Sequence, residues 1–140
     1  MASFPWASPV SRATGITAES IANAAGFVGA EIDNGTNLDD TMDLEVIINC
    51  ATAPTANTVL SLYVLYSLDG TNYEDGAAGQ QPVGVPLTAI PARNVTGAQR
   101  VSVRGAVISP LKFKLLAWNA LGQTSTTTVT AKTYRRGYAA

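Results

Sequence analysis

"TVLSLYVLYSLDGTNYEDG", residues 58–76, decides how this chain folds. Its first half is apolar on both sides. Leu60, Leu62, Val64 and Tyr66 alternate along one face, and Val59, Tyr63 and Leu65 fill most of the other. Period two with two apolar faces marks a central strand covered by protein on both sides. One of those covers is either the chain's own core or a partner subunit. The second half is turn chemistry. Asp69-Gly70 is a favoured pair for a two-residue hairpin whose central residues both take positive φ. Ser67 can bond into that turn, and Tyr73 can pack back across the strand pair toward Tyr66. Every residue that looks like part of a ligand motif is also one that the corner itself needs.

The same period extends in both directions. In "TMDLEVIINC" (41–50), Met42, Leu44, Val46, Ile48 and Cys50 face one way, while Asp43, Glu45 and Asn49 face the other. One wet face predicts an edge or outer antiparallel strand. "ITAESIANAAGFVGAEID" (16–33) is weaker. Gly26 and Gly29 argue against a helix, which leaves strands near 17–22 and 26–32. Residues 75–99 hold three prolines and four glycines and read as a long connection. A loop of that length usually has a purpose. Val83, Val85, Leu87 and Ile90 alternate inside it, which fits a short strand. In "RVSVRGAVIS" (100–109), Val101, Val103, Gly105 and Val107 share a face. "LKFKLLAWN" (111–119) sets Leu111, Phe113, Leu115 and Ala117 against Lys112 and Lys114. "ALGQT" then turns the chain through Gly122, and the β-branched run "STTTVTAKTYRR" follows. These last two strands read as an antiparallel hairpin. The sum is an all-β chain of about seven to eight strands, an antiparallel β-sandwich or jelly roll.

Residues 16–140 form the single sandwich domain in this reading, and residues 1–15 an extended N-terminal arm. Pro5, Pro9 and Gly15 break any helix there. Phe4 and Trp6 are large anchors that either dock on a neighbour or tuck back onto the domain's own core.

Composition bounds the function. The chain has 140 residues, 46% hydrophobic and only 14% charged, so it can bury a core and is not disordered by composition. Low charge also hints at surface covered by something other than water. With one cysteine no intrachain disulfide can form, and Cys50 lies in an apolar strand pattern as a buried core residue. "MASFPWASPVSR" has no basic n-region or apolar h-region, and "VLSLYVLY" is too short to span a bilayer as a helix. A soluble protein made in a cytosol is expected. In that setting the sequons at Asn34 and Asn94 carry little weight.

Charge is divided by position. All ten acidic residues fall between Glu19 and Asp75, and eight of the nine basic residues between Arg93 and Arg136. Either early and late strands interleave and pair their charges, or the particle has one acidic and one basic face. There is no histidine, so the commonest general base and neutral metal ligand is missing. No nucleophile, base and stabiliser can be assembled, and a non-enzymatic protein without cofactor or metal is expected. "EIDNGTNLDD" and "LDGTNYED" are oxygen-rich, but neither has EF-hand spacing, and Asx residues with glycine are ordinary turn chemistry. Lys132, Arg135 and Arg136 form the one local basic patch in a chain of pI about 5.2, so no specific nucleic-acid binding is expected.

The corner string resembles the S-x-D-G-x-x-aromatic hairpins of discoidin-like sugar-binding domains, and it misses the sialidase Asp-box spacing by one residue. A wider resemblance follows the order of the chain. An extended arm, "YVLYSLDGTNYEDG", a proline-rich connection and then "RVSVRGAVISPLKFKLLAWNALGQTSTTTVTAKTY" resemble the small β-sandwich virion proteins of tailed bacteriophages, including capsid decoration or cement proteins. That resemblance spans roughly residues 40–136. It implies a structural protein of the virion, made in the host cytoplasm, often a homotrimer, that binds major capsid protein or other virion proteins and no membrane. The contacts it implies are Phe4 and Trp6 in the arm, Val83, Val85, Leu87 and Ile90 in the loop, and Arg135 and Arg136 in the tail. The alternative is a carbohydrate-binding or adaptor sandwich of a phage tail, which would use the tyrosines as a platform.

Overall fold

The computed structural model describes residues 10–11 and 15–135. The strands are β1 (Val10–Ser11), β2 (Ile16–Ile21), β3 (Ala25–Asp33), β4 (Thr41–Cys50), β5 (Val59–Ser67), β6 (Thr88–Pro91), β7 (Gly97–Val107), β8 (Lys112–Asn119) and β9 (Ser125–Tyr134). Among the described residues there is no helix. One sheet runs β9, β4, β7, with β1 and β2 both on the outer edge of β9. The other runs β3, β8, β5, β6. Every pairing is antiparallel.

The pairings are nested. β2 pairs with β9, β3 with β8, β4 with β7 and β5 with β6. The chain is thus one long folded-back ribbon whose tip is β5–β6. Rolling that ribbon brings β9 beside β4 and β8 beside β5. This is the jelly-roll order, an antiparallel sandwich of two sheets.

Strand alternation builds the core between the sheets. Met42, Leu44, Val46, Ile48 and Cys50 of β4 are all at most 2% exposed. They meet Leu60 and Leu62 of β5, and Phe113, Leu115 and Ala117 of β8. The second apolar face of β5 is covered by the chain itself. Tyr63, Leu65 and Leu116 form a satellite cluster on the outside of the second sheet, under Tyr73, Trp118 and Val28. Gly29 is required by a close approach: a Cβ there would lie 1.8 Å from the Gly15 carbonyl oxygen. That oxygen accepts the Ala30 N–H at 3.2 Å.

Of the two alternatives for β4, an edge or an outer strand, the structure takes the second, since β9 and β7 flank it; one wet face belongs to any strand of an antiparallel sheet that faces water, central ones included. Three expectations need correction. β8 and β9 do not form a hairpin but lie in different sheets. Alternation gives each strand an inward face without saying whether two neighbours pair edge to edge or pack face to face. Asp69-Gly70 is not a two-residue hairpin turn: Gly70 has φ +77°, Asp69 is not among the positive-φ residues, and no strand follows before β6. Val107 does not share the inward face of Val101 and Val103. A bulge opposite Met42–Leu44, with Gly105 at φ +68°, shifts the register, leaving Val107 75% exposed and Ile108 buried.

Candidate functional site

The corner after β5 is built around one carboxylate. Asp69 Oδ1 accepts the Asn72 N–H at 2.7 Å, the Thr71 N–H at 2.8 Å and the Ser67 hydroxyl at 3.2 Å. Its Oδ2 accepts the Asn72 side-chain amide at 2.8 Å. These donors, the Asn72 backbone first, hold the carboxyl well below the usual range. With four donors already engaged, Asp69 is a structural acceptor. Among the described residues no three His, Cys, Asp or Glu side chains converge in a way that could hold a metal ion.

The tyrosines do not share a platform. Tyr66 faces the core, its ring 5.9 Å from that of Phe113, and its hydroxyl accepts the Ser109 N–H at 3.3 Å. Tyr63 is buried on the opposite face of β5, where its hydroxyl accepts from Gln81. Tyr73 lies on that outer face too, rather than toward Tyr66. Its hydroxyl donates to Glu31, and Lys114 Nζ sits 4.2 Å from its ring centre. Glu31 also pairs with Lys112 at 3.2 Å. The Tyr73 hydroxyl first, then Lys112, draw the Glu31 carboxyl down; burial and then Glu31 push Tyr73 up to about 12.

Acidic and basic halves interleave. Glu45 of β4 pairs with Arg100 of β7 at 2.9 Å, as Glu31 of β3 does with Lys112 of β8. Asp43 lies opposite Lys132 in the β4–β9 register. Arg135 donates to the carbonyls of Asn37 and Leu38. Exposed pairs of this kind add little stability; what they do here is mix the two signs on shared surfaces.

Asn34 and Asn119 do more. Asn34 Nδ2 donates to the carbonyls of Asp39 and Ser109, both at 2.8 Å, and its Oδ1 accepts the Asp39 N–H. Asn119 does the same with Ile21, Gln123 and Leu121. The amide of the Asn34 sequon is therefore buried and bonded in the fold.

The feature that stands apart is the flank formed by β5, β6 and β7. β6 spans four residues and pairs only with Val59–Leu62. Further along, the β5 edge is met by Glu74, whose N–H donates to the Tyr66 carbonyl and whose carboxylate accepts the Tyr66 N–H. β7 is eleven residues long and pairs with β4 on one side; among the described residues no strand lies on its other side. Val64, Tyr66, Leu87, Val101 and Val103 are only partly buried against the core. Leu68, Val83, Val85, Val95 and Val107 are all exposed and, Leu38 aside, are the chain's large exposed apolar side chains among the described residues. Each sits in a segment bordering this flank. A cleft of about 460 Å³ runs there between Tyr63–Tyr66, Glu74–Asp75 and Pro82–Val85. The volume suits a small ligand, but its rim residues Val83 and Val85 are at least 90% exposed, so it is an open shelf rather than an enclosed site.

The expected contact residues are thus separated. Val83 and Val85 project from the shelf, and Leu87 is half-buried with its N–H on the Leu62 carbonyl. Ile90 is 2% exposed and belongs to the core. Arg135 is exposed and tied to the 37–38 loop. Phe4, Trp6 and Arg136 lie outside the described residues. Leu68, Val107 and the β7 edge were not legible as surface: their alternation looks like that of core strands, and only the bulge glycine marks the shift. Among the described residues no helix is long and apolar enough to cross a membrane. No family model, curated protein or solved structure matches the chain.

Proposed function

We propose that the chain is a non-enzymatic structural protein of a tailed-phage virion, of the capsid decoration or cement type, that binds a shell of major capsid subunits as a homo-oligomer. The observation that carries this reading is the pair Val83 and Val85, both at least 90% exposed at the rim of the open cleft beside β5. Apolar patches of this kind mark interaction surfaces, and the pattern beside them, an Asp69 fully engaged in its own loop and tyrosines divided between faces, favours binding through protein surface over a sugar pocket. Jelly rolls serve in viral shells and also in lectins, so fold by itself does not separate the two.

The test uses particles of the phage whose genome carries this chain. The protein should co-purify with intact heads and rebind to heads from which it has been stripped. Val83→Asp with Val85→Asp should abolish rebinding while leaving the melting temperature unchanged, because both side chains lie in water. Absence from purified particles, or full rebinding by the double variant, sinks the proposal. Localisation to tails together with glycan binding lost in Tyr73→Ala would establish the carbohydrate-binding alternative instead.

A further inference from the structure

We infer that the free edge of β7 receives residues 3–9 of a second copy of this chain as an added strand, joining copies head to tail. The inference stands apart from any shell and concerns how the protein associates with itself.

The receiving side is a strand edge that no other strand pairs with among the described residues. Long open edges recruit strands, which is why most proteins shorten or cover them. Beside this one, Val101, Val103, Val64, Tyr66 and Leu87 leave the mouth between the two sheets half-covered. It therefore offers main-chain bonds along one line and apolar footing next to them, the two parts of recognition by strand addition.

A second β7 is a poor occupant. In the antiparallel register that pairs all of residues 97–107, Arg100 falls opposite Arg104, and like charges facing each other are destabilising. Residues 1–9, "MASFPWASP", carry no charged side chain. Their pattern also suits an added strand. Main-chain donors alternate sides along a strand, and proline is tolerated where its missing N–H faces away from the partner. Pro5 and Pro9 have the same parity, so both can face away while residues 4, 6 and 8 bond to the edge. Phe4 and Trp6, two apart, then share one face, and facing inward they would cover the open mouth.

Geometry favours a neighbour over the same molecule. Val10 and Ser11 pair with Thr133 and Lys132 on the β9 edge, and β4 separates β9 from β7. Donor and acceptor thus lie at opposite edges of one sheet. Nine extended residues reach at most ~30 Å, and crossing their own sheet would use much of that. A contact between different patches closes into a ring when the rotation permits.

The test is the solution mass of the full chain by light scattering across a concentration series, with hydrogen exchange read at β7. The wild type should associate, and its β7 amides should gain protection as it does. Phe4→Ala with Trp6→Ala should keep the wild-type circular dichroism yet raise the dissociation midpoint by roughly 100-fold, the scale of losing two interface aromatics. A wild type that stays monomeric at every concentration overturns the inference. So does a double variant that associates like wild type, or β7 exchange that ignores association. Protection of β7 in a monomer, lost in the double variant, would show the arm closing on its own sheet and equally overturn assignment to a second copy. Loss of shell binding with association intact would refute the decoration role and leave this inference standing.

Discussion

Replacing Asn34 by Ala tests the most compact piece of the fold's polar engineering. The side chain is 1% exposed and makes three hydrogen bonds, at 2.8, 2.8 and 2.9 Å, that tie the 34–39 loop to the segment leaving β7. Truncation leaves the Asp39 N–H and carbonyl and the Ser109 carbonyl without these partners. Each buried group left unsatisfied costs ~1–3 kcal/mol. Ser109 is only partly buried, so water offsets some of its loss. The sum is ~3–5 kcal/mol, a large share of the ~5–15 kcal/mol that holds a domain together. With a urea m-value of ~1.5 kcal/mol/M, the unfolding midpoint should fall by ~2–3 M at unchanged slope. Asn34→Asp is the sharper control. It keeps the acceptor but turns an oxygen toward two carbonyl oxygens, so near neutral pH it should be at least as damaging as Ala. Below pH ~4 the protonated acid regains a donor, and the deficit should shrink. A midpoint within ~0.3 M of wild type for Asn34→Ala, or an Asp variant as stable as wild type at neutral pH, would refute the latch.

Two further outcomes follow from the same geometry. Tyr73 should titrate at about 12 in an ultraviolet pH titration, and Glu31→Gln should lower it part of the way, because burial is the larger cause. Because the fold raises this acid's pKa, its contribution to stability is complete below pH ~10 and is lost as pH rises toward 12; a Tyr73 unmoved by Glu31→Gln would place the cause elsewhere. Gly122→Ala should cost ~2–3 kcal/mol in chemical denaturation: φ is +76°, and the new Cβ would meet Thr55 Oγ1 at 2.2 Å. Gly79→Ala, with nothing within 4 Å of its Cβ and an ordinary φ, should stay within ~0.5 kcal/mol, and equal effects at the two sites would refute the distinction.

What could be read in advance was whatever a two-residue period encodes. The inward residues of β4, β5 and β8, the buried Cys50 and the all-β class follow from alternation, because a strand with one side in the core must repeat every second residue. Pairing partners did not follow. β8 and β9 are consecutive and alternate alike, yet the tight turn through Gly122 carries the chain from one sheet to the other. Local signals misled where a side chain had two uses. Asp69-Gly70 has hairpin composition, but the Asp69 carboxylate gathers the donors of an Asx loop instead. Asn34 looked like turn or sequon chemistry because its true partners, Asp39 and Ser109, include one 75 residues away. The open flank was the least legible part, since a valine bound for the surface and one bound for the core are written the same way.

One residue explains why that flank stays open. In the β5–β6 ladder Leu62 pairs with Thr88, so two pairs further in register Val64 would lie opposite Pro86. Proline has no N–H to give; Pro91 is tolerated within β6 at a position facing away, but position 86 has the parity of Ala92, whose N–H donates to the Thr58 carbonyl just before β5, and a proline there ends the ladder. The strand therefore begins at Thr88, Leu87 N–H makes the last bond to Leu62, and Glu74 arrives only at Tyr66. The segment before Pro86 is left outside the sheet with Val83 and Val85 in water. The proline-rich connection is thus what shortens β6, and a short β6 leaves the β5 edge beyond Leu62 without a ladder partner until Glu74. A residue with an N–H at position 86 would let β6 lengthen, draw Val85 toward the sheet and narrow the opening beside Val64. The exposure of the flank and the length of the loop are two consequences of the same missing donor.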